Sequence, residues 1–350
     1  MSGAATGRRR LDASVPQEYD QPVRPPRLPS NQLSVRLGVT VGVGAILGLL
    51  GSLTGVVAVD APSWLYRPSA ALLTVTLTIG LVHRAGGRMR IWVTMVALVC
   101  AGAVLTDWAG LVAVAAALTG VVGAVSAVVF TRPAYRLRAA LREYAVCVGV
   151  AVSGAVGVAA WNAQVNVVVF VVMVVGVSMV VVIGLTWKLG QGIHGLGRNH
   201  LAMLAGVAAV LLLLVVYSYV LRSYGSVSLV NMIDSSIYWA RSTIGGVPRP
   251  VQALVGFPAL VVGVRVRSQR REGWWVLVFA ALATSSVTTG LVSPLAYPTY
   301  MGLSMVYSAI VGFGVGWLLS RFVMAPTSAR SARAIQPVRR VEPPRWAGLR

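Results

Sequence analysis

Long runs of Val, Ala, Leu and Gly in this 350-residue chain stop repeatedly at clusters of arginine and then resume. Each run approaches the roughly 20 residues that a helix needs to cross a hydrocarbon core of about 30 Å. The pattern therefore predicts an all-α, polytopic transmembrane helix bundle. A water-soluble globule of this size could not be 57% hydrophobic and only 11% charged, because its surface would lack charge. The net charge of +21 would suit nucleic acid if it were read without position. Nearly every arginine borders an apolar run, however, where a cation meets anionic headgroups. The expected partner is the cytoplasmic face of a bilayer, with no nucleic acid.

Ten spans are expected, near residues 37–59, 68–82, 91–106, 109–130, 144–161, 165–187, 200–221, 250–265, 274–292 and 300–320. Two apolar stretches are each about twice a span, and Asp107 divides one while Asn162, Gln164 and Asn166 divide the other. Charge orients the set, because cytoplasmic loops collect Lys and Arg. With both termini cytoplasmic, 26 of the 30 Lys and Arg lie inside, and only Arg67, Arg222, Arg241 and Arg249 lie outside. Arginine in place of all but one lysine, with abundant Ala, Val and Gly, is what a GC-rich bacterial genome encodes, so the expected location is a bacterial plasma membrane.

The domain organisation follows from the same runs. Residues 1–35 and 323–350 are basic and Pro-rich, with too little apolar content to fold alone, and are expected to be disordered cytoplasmic tails open to protein partners. Residues 36–322 form the membrane domain. The first apolar run is too long for a cleaved signal peptide. Glycines four apart, such as Gly44 and Gly48, or Gly312 and Gly316, suit close helix packing.

Sites of chemistry are sparse. Cys100 and Cys147 lie inside apolar runs with no ligand partner at metal spacing, so no metal, disulfide or cofactor is expected. Residues 190–195 formally satisfy G-x-G-x-x-G but follow a membrane helix instead of a strand, which reads as a linker. None of the nine acids or three histidines falls mid-span, where an ionisable group would mark ion coupling. The longest external segment has Val230, Ile233, Ile237, Ala240 and Ile244 at helical spacing, predicting an interfacial helix near residues 229–244. Asp234, Tyr238, Trp239 and Arg241 on it are candidates for an external lid. Pro258 predicts a kink in the eighth span. Thr284, Ser285, Thr288 and Thr289 place hydroxyls along the ninth, and with Pro258 they are the candidate substrate path.

Asp60 follows the first span on the outer side. At that one position the chain resembles polyprenyl-phosphate-dependent glycosyltransferases of the GT-C type, in which a carboxylate there acts as a base. The resemblance, carried by Asp60 alone, implies a membrane enzyme, and Asp107, also on the outer side, is the other candidate residue of an enzyme reading. Against it, the loop from Asp60 to Arg67 is short. Three functional readings therefore stand: a permease or flippase for an amphipathic or lipid-linked envelope molecule, a non-catalytic assembly subunit of an envelope or secretion complex, and such a glycosyltransferase.

Overall fold

The computed structural model describes residues 32–57, 62–189, 227–269, 273–292, 298–324 and 342–349, with a few positions between 205 and 213. Among the described residues the chain is all-helical. The helices are α1 Gln32–Val57, α2 Ser63–Ala85, α3 Met89–Thr106, α4 Ala109–Val129, α5 Leu137–Ala160, α6 Val167–Leu189, α7 Val227–Ile244, α8 Phe257–Arg267, α9 Gly273–Thr288 and α10 Pro298–Val323. A π-helical turn, Val251–Gly256, runs directly into α8. Seven of these, α1 to α6 and α10, are long and apolar enough to cross a membrane. Ten full spans are thus not what the described residues carry. At 16 residues α9 rises only about 24 Å, and the expected span at 200–221 lies almost entirely outside the described residues.

The helix breaks have local causes. Gly86 ends α2 in the left-handed conformation at φ 69°, its N–H bonding to the His83 carbonyl, while Gly87 donates to Val82 at 2.9 Å; glycine takes this geometry without Cβ strain. Asp107 (φ 52°) and Asn162 (φ 45°) are the left-handed residues that close the α3–α4 and α5–α6 hairpins. Asn166 then caps α6, its side-chain oxygen accepting from Val168 and Val169 N–H at 3.1 and 3.2 Å, which satisfies donors that a helix start leaves open.

Helices α4, α5, α8 and α9 form the interior, and every residue of Phe257–Arg267 is buried. By contrast α1, α3, α6 and α10 turn Val39, Ile46, Leu98, Val172 and Ile310 outward, the all-apolar surface that only lipid covers without cost. Small residues set the crossings, as packing in lipid requires. A Cβ on Gly48 would stand 2.7 Å from the Leu73 backbone of α2, and one on Gly123 of α4 would stand 2.9 Å from Gly154 of α5. Gly312 and Gly316 of α10 receive Phe257 and Pro258 in the same way, at 2.5 and 2.8 Å.

One end of the bundle is basic and ordered by contacts. Arg84 at the end of α2, Thr131 after α4, Glu143 in the second turn of α5 and Arg267 at the end of α8 meet there. Within residues 323–350, read from sequence as a tail, Glu342–Leu349 packs against this end. Trp346 fills the notch over Gly38 and meets Phe130 at 5.8 Å between ring centroids, so an aromatic anchor offsets the ordering of the segment.

Candidate functional site

At the opposite end, the π-turn gathers the polar groups of a cavity. Pro258 has no N–H and its ring crowds the carbonyl four residues back. Just before it the helix widens, and Phe257 N–H donates to Gln252, five residues earlier. Such a bulge rotates the preceding side chains relative to a regular helix, and here it turns Gln252 inward. The N–H groups of the segment leading in, Gly245 to Arg249, precede the helix and need partners. Two buried serines one turn apart on α10 supply them: Ser304 accepts from Val247 N–H at 3.1 Å and Ser308 from Arg249 N–H at 2.7 Å.

The resulting cavity, about 180 Å³, lies between the π-turn, α5, α9 and α10. Its polar groups are Arg249, Gln252 and Ser286, and its apolar wall includes Val152, Met301 and Met305. Gln252 is 1% exposed, and its amide nitrogen donates to Ser286 Oγ at 2.6 Å while Oε1 has no partner among the described residues. Rotating the amide by half a turn would exchange the roles and still leave one polar atom unsatisfied. Leaving such an atom buried costs about 1–3 kcal/mol, which a ligand group would recover. The Arg249 guanidinium contacts Met301 Sδ and has no carboxylate partner among the described residues. Burial lowers its pKa and the nearby Tyr300 acts the other way; a guanidinium stays charged in either case.

Two further cavities neighbour this one along the bundle. It shares Leu291 with a cavity of about 120 Å³ beside Asn162 and Gln164. That one shares Val165 and Phe170 with an open groove of about 400 Å³ between α4 and α6. A polar head and an apolar tail would thus find adjoining surfaces, the arrangement that convergent polar groups in an apolar cleft provide.

The residues expected from sequence are distributed differently. Pro258 lies one turn beyond the cavity, against Gly312 and Gly316. Thr284 bonds the Ala281 carbonyl, Ser285 that of Ala281, and Thr288 and Thr289 that of Ser285. These four hydroxyls are buried and bonded within their own helix, and the hydroxyl that enters the cavity is their neighbour Ser286. Arg241 stands over the Tyr300 ring at 4.2 Å, and Tyr307 donates to the Ile244 carbonyl at 2.8 Å. Of the lid candidates, Arg241 is thus tied to α10 beside the cavity wall, while Asp234, Tyr238 and Trp239 are exposed. Asp107 pairs with Arg67 at the α3–α4 turn, away from the cavity, and Asp60 lies outside the described residues. So do residues 190–195.

Sequence reading passed over Gln252 by weighing only acids and histidines. An amide within an apolar run is also costly in a membrane, and that signal was present. No protein-family model matches the chain, and neither a curated protein nor a solved structure is significantly similar to it.

Proposed function

We propose that this multi-pass membrane protein of a bacterial plasma membrane, with both termini cytoplasmic, acts as a permease- or flippase-like carrier for an amphipathic or lipid-linked envelope molecule. The observation that carries this reading is the buried Gln252 amide, held by Ser286 and, among the described residues, left with one atom unpartnered in the cavity that Arg249 also lines. A cavity of about 180 Å³ admits a headgroup and not a whole lipid, so the hydrocarbon part would lie along the groove between α4 and α6. Helix α7, amphipathic and bearing Tyr238 and Trp239 for the headgroup level, would cover the entrance. No ion coupling is invoked: transport down a gradient needs no buried titrating group.

The test is reconstitution into vesicles carrying a fluorescent phosphatidylglycerol or a short polyprenyl phosphate, with transbilayer movement followed by quenching of the outer leaflet. Faster movement than in protein-free vesicles, lost in Gln252→Leu and retained in Ser285→Ala, is the expected result. Equal movement with and without protein, for both probes, would sink the carrier reading.

A further inference from the structure

The basic end holds a second set of converging donors, and its occupant is the chain itself. Arg84 is fully buried and makes four bonds, all to carbonyl oxygens. Two come from the bundle: Nε donates to Val129 at 2.7 Å and Nη2 to Thr131 at 3.2 Å. The other two run from Nη1 to the carbonyls of Pro344 and Arg345, at 3.1 and 2.8 Å. Arg267, also fully buried, is divided the same way. Nη1 donates to Thr131 Oγ1 at 3.2 Å, Nη2 also reaches the Thr131 carbonyl, and the guanidinium lies 4.1 Å over the Trp274 ring. Toward the C-terminal segment, Nη2 donates to Glu342 Oε2 at 3.1 Å.

Each guanidinium is therefore anchored by bundle groups and also donates to residues 342–345. Without that segment both would stay oriented, because Val129, Thr131 and Trp274 do not depend on it. They would then present converging charge-assisted donors with the segment's three oxygens removed. A buried guanidinium without an anionic partner is strongly disfavoured, and Arg84 has no carboxylate partner among the described residues even now. The segment places three acceptor oxygens on these donors, two on Arg84 Nη1 and one on Arg267 Nη2, as many as a phosphoryl group offers, and such anions are what charge-assisted arginine donors bind.

We propose that Arg84 and Arg267 form a phosphoryl-binding site at the basic end of the bundle, and that Glu342–Leu349 is an internal ligand that competes for it. The segment's fit to this role is partial. Among the described residues, Glu342 Oε1 has no partner although the residue is 5% exposed, and Arg345 Nε likewise has none. It is retained by Trp346 on Phe130, by the Arg345–Glu143 pair at 2.6 Å and by Leu349 N–H on the Arg84 carbonyl at 2.9 Å. An entering phosphoryl group would satisfy both arginines at once and release these contacts. The phosphoryl group can belong to a lipid headgroup or to a free anion; the site's chemistry is the same. This proposal rests on the basic end alone and is independent of the carrier reading.

The experiment compares the full chain with Glu342→Gln, Trp346→Ala and the double variant Glu342→Gln/Arg84→Gln, all in neutral detergent. Binding of inorganic phosphate is measured by calorimetry, and binding of phosphatidylglycerol by native mass spectrometry. Weakening the internal ligand should tighten phosphoryl binding at least tenfold in both single variants, and Arg84→Gln should abolish the gain. Hydrogen exchange at residues 344–349 of the unaltered protein should rise when the ligand is added. Tightening for phosphate alone identifies a free anion, and tightening for phosphatidylglycerol alone identifies a headgroup. If neither ligand gains affinity and exchange at 344–349 is unchanged at saturating ligand, the segment is a fixed structural strap and the proposal is wrong.

Discussion

Gln252 and Ser286 are joined at 2.6 Å across the π-turn and α9, and this single bond leaves half of a buried amide without a partner among the described residues. A group of this kind contributes little to stability, since the net gain of one neutral bond, about 1 kcal/mol, is offset by the unsatisfied atom. Gln252→Leu should therefore change the melting temperature by less than about 3 °C while lowering ligand binding or transport at least tenfold. A large loss of stability with unchanged transport would make the amide a packing group.

The hydroxyls on either side of Ser286 provide its control. Thr288 donates to the Ser285 carbonyl at 2.9 Å, and its methyl sits at the Gly123–Gly154 crossing. Thr288→Val keeps that methyl contact and removes only a bond within the helix, so both stability and transport should be nearly unchanged. Transport rates of Thr288→Val and Ser286→Ala measured side by side should differ several-fold.

Two glycines of α10 separate crossing from surface. A Cβ on Gly316 would stand 2.8 Å from Pro258 Cα, whereas one on Gly314 meets nothing within 4 Å. Gly316→Ala forces backbone apart and should cost about 1–3 kcal/mol. Gly314→Ala should instead be neutral or stabilising by up to about 1 kcal/mol through helix propensity. Thermal unfolding in one detergent decides the comparison.

Asp107 is exposed and pairs with Arg67. Exposed pairs contribute about 0–1 kcal/mol, and asparagine tolerates the left-handed backbone that Asp107 adopts. Asp107→Asn should therefore leave stability within that range, while Asp107→Val should be worse because a branched side chain resists that backbone. Loss of an enzymatic activity in a well-folded Asp107→Asn protein would revive the glycosyltransferase reading.

The orientation of the chain is open to labelling. Thr186 donates to the Trp274 carbonyl at the basic end, whereas α7 is tied to the other end through Tyr300 and Tyr307. Leu189 and Val227 therefore lie toward opposite ends of the bundle. Cysteines placed at Arg138 and at Ser235, in a chain with Cys100 and Cys147 replaced by alanine, should react with an impermeant maleimide from opposite sides of intact cells. Labelling of both from the same side would contradict this.

Much of the architecture is legible in sequence, because the bilayer imposes a length and a polarity that a run of residues either meets or fails. Asp107 and Asn162 mark breaks as expected, since few residues other than glycine accept a left-handed backbone. Length and charge are local properties, and a local rule reads them. The cavity and the basic pocket are not local. Gln252 faces inward because a π-turn five residues wide precedes Pro258. Ser286, and not its neighbours, meets it because of how α9 is rotated in the bundle. Arg84 reads as a surface anchor until Pro344 and Arg345, some 260 residues away, supply its carbonyls. Periodicity assigns a residue to a helix face, but which face meets which partner depends on packing between helices distant in sequence, where the small residues permit approach.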